Sequence, residues 1–355
     1  MYSFSAICDL AGGFSIGASY ALGDQPRDIV GYKPFLTNDS ISSAYWQKPI
    51  VEPSAMRQAD IIVATPPCAG LSQANLKASA DNSTNDWMTQ VLVDGLTYGK
   101  PLAMAIENAP TLVGDRGRLV RAKLESKAAE RGYLVSYYKT STHLHGIPQK
   151  RLRVFALFWR GDKVPVLNKI KKPAIHLREF LQSHPQSGDL LSELHQDDLS
   201  LLNFLFPDHV NSGPQNSEYL VTTAIKRGVA ETALKVVLSG GKRERLIRHA
   251  LNKQSMGLNF FDNSPKVFGA MAHAWMHRHH DAISPLGKHG LYVSDGLALM
   301  GLPREYLQWI NKKNINLTCQ TVPTCTARDV VIEMAEALNG NRQWNQTSSF
   351  IQSNI

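Results

Sequence analysis

Cys68 stands in DIIVATPPCAGLS (60–72), directly behind two prolines and ahead of a flexible Ala-Gly-Leu-Ser. Ile61, Ile62 and Val63 carry side chains that pack well on a pleated surface, so a short buried strand is expected there. Pro66 and Pro67 cannot donate to a sheet ladder, and the strand must stop before them. The thiol is thereby held on a stiff loop just past a strand's carboxyl end, where open α/β sheets receive their ligands. A free cysteine is more often a small buried hydrophobe, so its neighbours must decide. Glu107-Asn108 closes a second apolar run, PLAMAIEN (101–108), ahead of Ala-Pro. A carboxylate there can give or take a proton, although alone it would pass for a turn or cap residue. In GIPQKRLRV, Gln149, Arg151 and Arg153 fall at alternate positions. At the start of a strand, period two points all three to one face. Two arginines sharing a face must meet an anion or a base, because burying them unpaired costs too much.

The elements that would position these residues have an α/β texture. Phe4 to Cys8 suits a strand, followed by AGGFSIGASYALG, a glycine turn running into a helix. Asp28–Tyr32, Asp60–Ala64, 101–108, Tyr133–Thr140 and 151–160 are further strand candidates; 118–132 has helical composition and a Gly132 stop. Strands alternating with helical stretches imply a doubly wound, mostly parallel, Rossmann-like sheet. From Gly161 the texture changes to a charged, proline-flanked link and then an irregular stretch to about residue 290. That stretch includes GGKRERLIRHALNKQ (240–254), where Lys242, Arg243 and Arg245 head a strongly basic run. A solvated helix face and a phosphate-contacting surface both suit such a run. DGLALMGLPREYLQWI is helix, turn and more helix; 326–340 is an amphipathic helix with a glycine stop. The expected plan is a catalytic domain over 1–160, a second, smaller region over 161–290, a returning segment over 291–340, and a flexible tail over 341–355.

At 355 residues with 43% apolar content, the chain can build a sizeable core. No run approaches the roughly 18 apolar residues of a membrane span, and no signal-type start precedes the first strand. The four cysteines are scattered without a CxxC pair, which argues against a disulfide framework and suits a reducing, cytoplasmic setting. His273 and His277 would lie one helical turn apart, yet no carboxylate or cysteine stands near, so no metal is expected. The net charge of +8 points to a polyanionic partner.

PPCAGLS, IENAP, GIPQKRLRVF, GLALMGLP and TVPTCTARDVV, in this order, resemble the ordered motifs of the DNA (cytosine-5) methyltransferases. The likeness covers about 1–160 and 290–340 and puts 161–290 in the place of the target-recognition region. It implies that Cys68 is the nucleophile, Glu107 the acid at ring nitrogen 3, and Arg151 and Arg153 the arginines that contact the base and brace the site. It further implies S-adenosylmethionine as cofactor, with Asp9, Gly12, Gly13, Phe14, Pro66, Gln320 and Val322 as its candidate ligands. Double-stranded DNA is the implied partner, met by Ser72, Gln149, Lys242, Arg243 and Arg245. A monomeric enzyme of a bacterial cell, encoded by host or phage, fits the likeness, and a cognate restriction endonuclease could accompany it.

The sequence departs from the family's pattern around the methyl donor. The family opens with Asp-Leu-Phe-x-Gly-x-Gly-Gly; here the segment is CDLAGGFSIG, which keeps Gly12 and Gly13. The strand after it should end in an acid for the ribose hydroxyls, but VGYKPF has none, leaving Glu52 or Asp39 as substitutes. The Gly-Asn before the Val-Pro turn is Cys319-Gln320. A modified adenosylmethionine, a non-catalytic DNA-binding relative and an RNA cytosine-5 methyltransferase are therefore the alternatives. A binding module has no need for Cys68, Glu107 and both arginines together.

Overall fold

The computed structural model describes residues 1–72, 79, 82–173, 175–191, 291–345 and 350–354, with short pieces at 215–216, 266–267, 272–273, 282–284 and 286. Lys242, Arg243, Arg245 and His277 lie outside the described residues.

The main sheet has eight strands. In chain order they are β1 (Phe4–Ile7), β2 (Ile29–Val30), β3 (Ile50–Val51), β4 (Ile61–Ala64), β5 (Ala103–Asn108), β6 (Tyr133–Ser141), β8 (Leu152–Arg160) and β15 (Phe350–Ser353). Their spatial order is β15-β6-β8-β5-β4-β1-β2-β3. Every pairing is parallel except those of β8, which runs antiparallel to both β5 and β6. The remaining strands are two residues long. β7 (Gln149–Lys150) pairs with β12 (Ala272–His273), β9 (Val164–Pro165) with β14 (Trp344–Asn345), and β10 (Gln215–Asn216), β11 (Lys266–Val267) and β13 (Ala282–Ile283) form a third small sheet. His273 thus stands on a strand and not on the helix expected for it.

The central strands are apolar on both faces, as a sheet covered twice requires. Ile62, Ala64, Met104 and Ile106 face one core, with α3 (Asp86–Asp94) and α4 (Arg118–Ala129); Ile61, Val63, Ala103 and Ala105 face the other. On the second face α1 (Gly13–Leu22) packs against α8 (Thr324–Leu338), which returns the end of the chain to its beginning. A third core joins α5 (Leu177–Gln182) to α6 (Val293–Met300) and the turns after it. Helix α2 (Leu36–Trp46) and strand β3 were not anticipated, because α2 is half polar and β3 is too short to show a period.

The tail departs from the expectation of flexibility. Residues 350–353 extend the sheet beside β6, and two side chains anchor them. Gln352 receives the Leu167 amide at 2.8 Å and donates to the Pro165 carbonyl at 3.0 Å; Asn354 receives the Ile170 amide at 2.8 Å. A polar segment joins the fold here through hydrogen bonds, which composition does not reveal.

Candidate active site

Register places the reactive residues at one edge. Glu107 pairs with Phe155 and Asn108 with Val154, so antiparallel β8 begins where β5 ends. Arg153 is one step further out, beside the loop that follows β4. The Cys68 loop is tied down by the Leu71 amide, which donates to the Cys68 carbonyl at 3.0 Å, and by Thr111 Oγ1, which donates to the Leu71 carbonyl. Asn108 accepts the Ala109 amide at 2.9 Å and fixes the proline turn after β5.

Cys68 is solvent-exposed while protein crowds it from below. Desolvation by that crowding pushes its thiol up from the ordinary value; the Glu107 charge adds to this, and Arg153 and Arg151 oppose it. Glu107 is buried, and burial likewise raises its carboxyl against the pull of the same arginines. Arg153 Nε lies 2.6 Å from Glu107 Oε1 and keeps about a fifth of its side chain, 22%, open. A thiol, a carboxyl that favours its proton and a partly open cation therefore stand together at these strand ends.

Gln149 and Arg151 are buried while Lys150 and Leu152 are exposed, so period two holds through this segment. The inward face meets protein, however. Gln149 is fully enclosed, with Nε2 donating to the Leu299 carbonyl on α6, which corrects the expectation of a DNA-facing side chain. Arg151 Nη2 donates to the carbonyls of Cys319 and Thr321 at 2.7 and 3.0 Å. Burial, with Arg153 second, pushes Arg151 down to about 9, still charged at neutral pH. It ties the returning segment to the site. No sequence pattern exposes this, because its partners are backbone carbonyls. Ser72 ends the described part of the cysteine loop and is half-buried.

The donor side lies at the carboxyl ends of β1, β2 and β4, next to the crevice where chain progression reverses. The turn after β1 is tight: Cys8, Leu10 and Gly12 have φ of 50, 56 and 82°. Asp9 accepts the Ser15 amide at 3.1 Å and the Ser42 hydroxyl, both within the protein. A Cβ on Gly13 would come within 2.0 Å of the Val322 carbonyl, and Phe14 packs edge-on against Phe155 at 5.7 Å. Asp9, Gly13, Phe14 and Val322 therefore shape the turn from the protein side. Pro66 is buried at the end of β4 and Gln320 is exposed at the end of α7 (Asn316–Gln320). Polar atoms without partners among the described residues ring the turn: Asp39 Oδ2, Thr65 Oγ1 and the Tyr306 hydroxyl. Such a set suits a ligand bearing hydroxyl and amino groups. Of the two substitute acids, Glu52 is exposed and 3.7 Å from Lys33, whereas Asp39 is fully buried.

Fold and site together define a methyltransferase-type α/β protein with an exposed cysteine just past the carboxyl end of a central strand. The model of the C-5 cytosine-specific DNA methylases matches residues 38–334, and the chain belongs to that family. The matched span begins after the shortened glycine turn. Solved structures with the same fold include the methyltransferase EhMeth of Entamoeba histolytica, with TM-score 0.57, 11% identity and coverage of 95% of this chain and 98% of that one. The S. pombe Dnmt2 methyltransferase gives TM-score 0.55 at 12% identity, covering 95% and 99%. A mutant DNMT2 of Spodoptera frugiperda gives 0.53 at 13%, covering 96% and 100%. No curated protein matches the chain. Among the described residues no helix is long and apolar enough to cross a membrane, and no cluster of metal-ligating side chains occurs.

Proposed function

We propose that this cytosine methyltransferase acts on double-stranded DNA, using S-adenosylmethionine and a covalent bond between Cys68 and carbon 6 of the target base. The observation that carries this reading is the joint placement of Cys68, Glu107 and Arg153 at the adjoining ends of β4, β5 and β8. Carbon 5 of cytosine is a poor nucleophile. Addition of the Cys68 thiolate to carbon 6 makes carbon 5 enamine-like and able to attack a methyl group. Glu107, whose carboxyl holds its proton more tightly than usual, hydrogen-bonds ring nitrogen 3 and draws electron density from carbon 6 as sulfur adds. Arg153 presents its open guanidinium edge to the base carbonyl and holds Glu107 in place. Loss of the proton from carbon 5 then expels the thiolate and restores the ring. Stacking shields carbons 5 and 6 in a duplex, so the cytosine is flipped out. S-adenosylmethionine supplies, when bound, a methyl group on a positively charged sulfur; Asp39, Thr65 and Tyr306 offer the polar atoms around its site.

Bisulfite sequencing of DNA from cells expressing the protein tests the reading. Protected cytosines in one sequence context are expected, absent with Cys68→Ala. Complete conversion of the DNA, with protection confined to cellular RNA, overturns the choice of substrate.

A further inference from the structure

The chain that leaves the site after β5 carries three arginines, and the fold uses one of them. Asn108 leads into two short turns, Pro110–Val113 and Asp115–Gly117, before α4 begins at Arg118. Their path is fixed. Leu112 is fully buried, and a Cβ on Gly117 would come within 2.0 Å of its carbonyl oxygen. Arg121, one turn into α4, donates through Nη1 to the carbonyl of Leu112 and, at 2.8 Å, to that of Gly114. Thr111 Oγ1 donates to the Leu71 carbonyl, so the same turns brace the Cys68 loop.

Arg116 and Arg118 take no part in this bracing. Both are exposed, and neither has a hydrogen-bond or ion-pair partner among the described residues. Fold stability does not account for them: α4 has no acid in its first turn, and a cation at Arg118 meets the positive end of the helix dipole. Asp115 is the only acid from 109 to 124, against Arg116, Arg118, Arg121 and Lys123. Lys123 is taken up by Asp86 at 3.1 Å. Two unneutralised guanidinium groups thus stand on a rigid rim nine and eleven positions beyond Glu107. Their planar donor forks match phosphate oxygens. A flipped nucleotide stays joined to its strand, so the phosphates on either side of it must pass the rim of the pocket that takes the base.

We propose that Arg116 and Arg118 bind backbone phosphates of the target strand beside the flipped cytosine and hold that strand over Cys68. This rests on the reading of the protein as a DNA methyltransferase.

The test is a salt titration of the full chain binding a short random-sequence DNA duplex, read by fluorescence anisotropy. In Arg116→Gln/Arg118→Gln the slope of log affinity against log salt should flatten by about 1.8, at about 0.9 for each phosphate. Arg116→Lys/Arg118→Lys keeps both charges and should retain the wild-type slope. Lys100→Gln/Lys163→Gln removes as much charge at the opposite end of the sheet, before β5 and after β8, and should also leave the slope unchanged. A glutamine variant with the wild-type slope would overturn the proposal. So would an equal flattening in the Lys100 and Lys163 variant, because net charge alone would then explain the effect. A wild-type protein that binds the corresponding RNA duplex and not the DNA removes the DNA reading itself, and the proposal with it.

Discussion

A thiol that holds its proton tightly is a weak nucleophile, and the carboxyl beside Cys68 is shifted in the same direction. Thiolate plus protonated Glu107 carries the same number of protons as thiol plus carboxylate, so the pair titrates as a unit. The working form rises through the lower apparent pKa, which lies above the ordinary carboxyl value, and falls through the upper one, which lies above that of a free thiol. Between them the wild-type kcat/KM should be flat. In Glu107→Gln only the thiol titrates. Turnover at neutral pH should fall about 100-fold, and the residual rate should climb nearly tenfold per pH unit towards pH 9. A Glu107→Gln profile as flat and as fast as the wild type would remove the acid from the account.

Among the elements, the segment 149–153 does two jobs. Its outer arginine reaches the site through Glu107, while its inner one, Arg151, is spent on the carbonyls of Cys319 and Thr321. Arg151→Met should therefore destabilise the fold by about 2 kcal/mol or more in urea denaturation, because buried carbonyls lose a charged donor. Arg153→Met should lower turnover and cost less stability than Arg151→Met, since its guanidinium stays partly open and buried Glu107 can take up a proton in its absence. Equal effects of the two on stability would contradict this division. The alternation of 149, 151 and 153 was legible in the sequence, but not which of them meet protein. That depends on α6 and on the segment 319–321, which arrive from far along the chain. The short strands and the Pro66-Pro67 stop were equally legible, since β-branched runs and prolines act locally. The tail strand was not, because an amide on a polar tail carries no periodic signal.

At the scale of the whole molecule the net charge is +8, and buried Glu107 and Glu333 are paired with Arg153 and Arg342. The remaining positive charge is available to phosphates. Lys242, Arg243 and Arg245 are the sequence's strongest basic run, and their joint replacement by alanine should weaken DNA binding alike on all sequences. The slope of log affinity against log salt should flatten by about 0.9 for each phosphate no longer neutralised. Unchanged affinity at every salt concentration would leave these residues as a solvated surface. In the proposed mechanism recognition, base flipping and methyl transfer converge on one bond, between Cys68 and carbon 6. The protein should be incubated with S-adenosylmethionine and a random-sequence duplex in which 5-fluorocytosine replaces cytosine, then denatured. A covalent protein–DNA adduct should survive denaturation, with the modified peptide containing Cys68, and Cys68→Ala should give none. An adduct that persists in Cys68→Ala, or methylation of ordinary DNA by that variant, would contradict the mechanism.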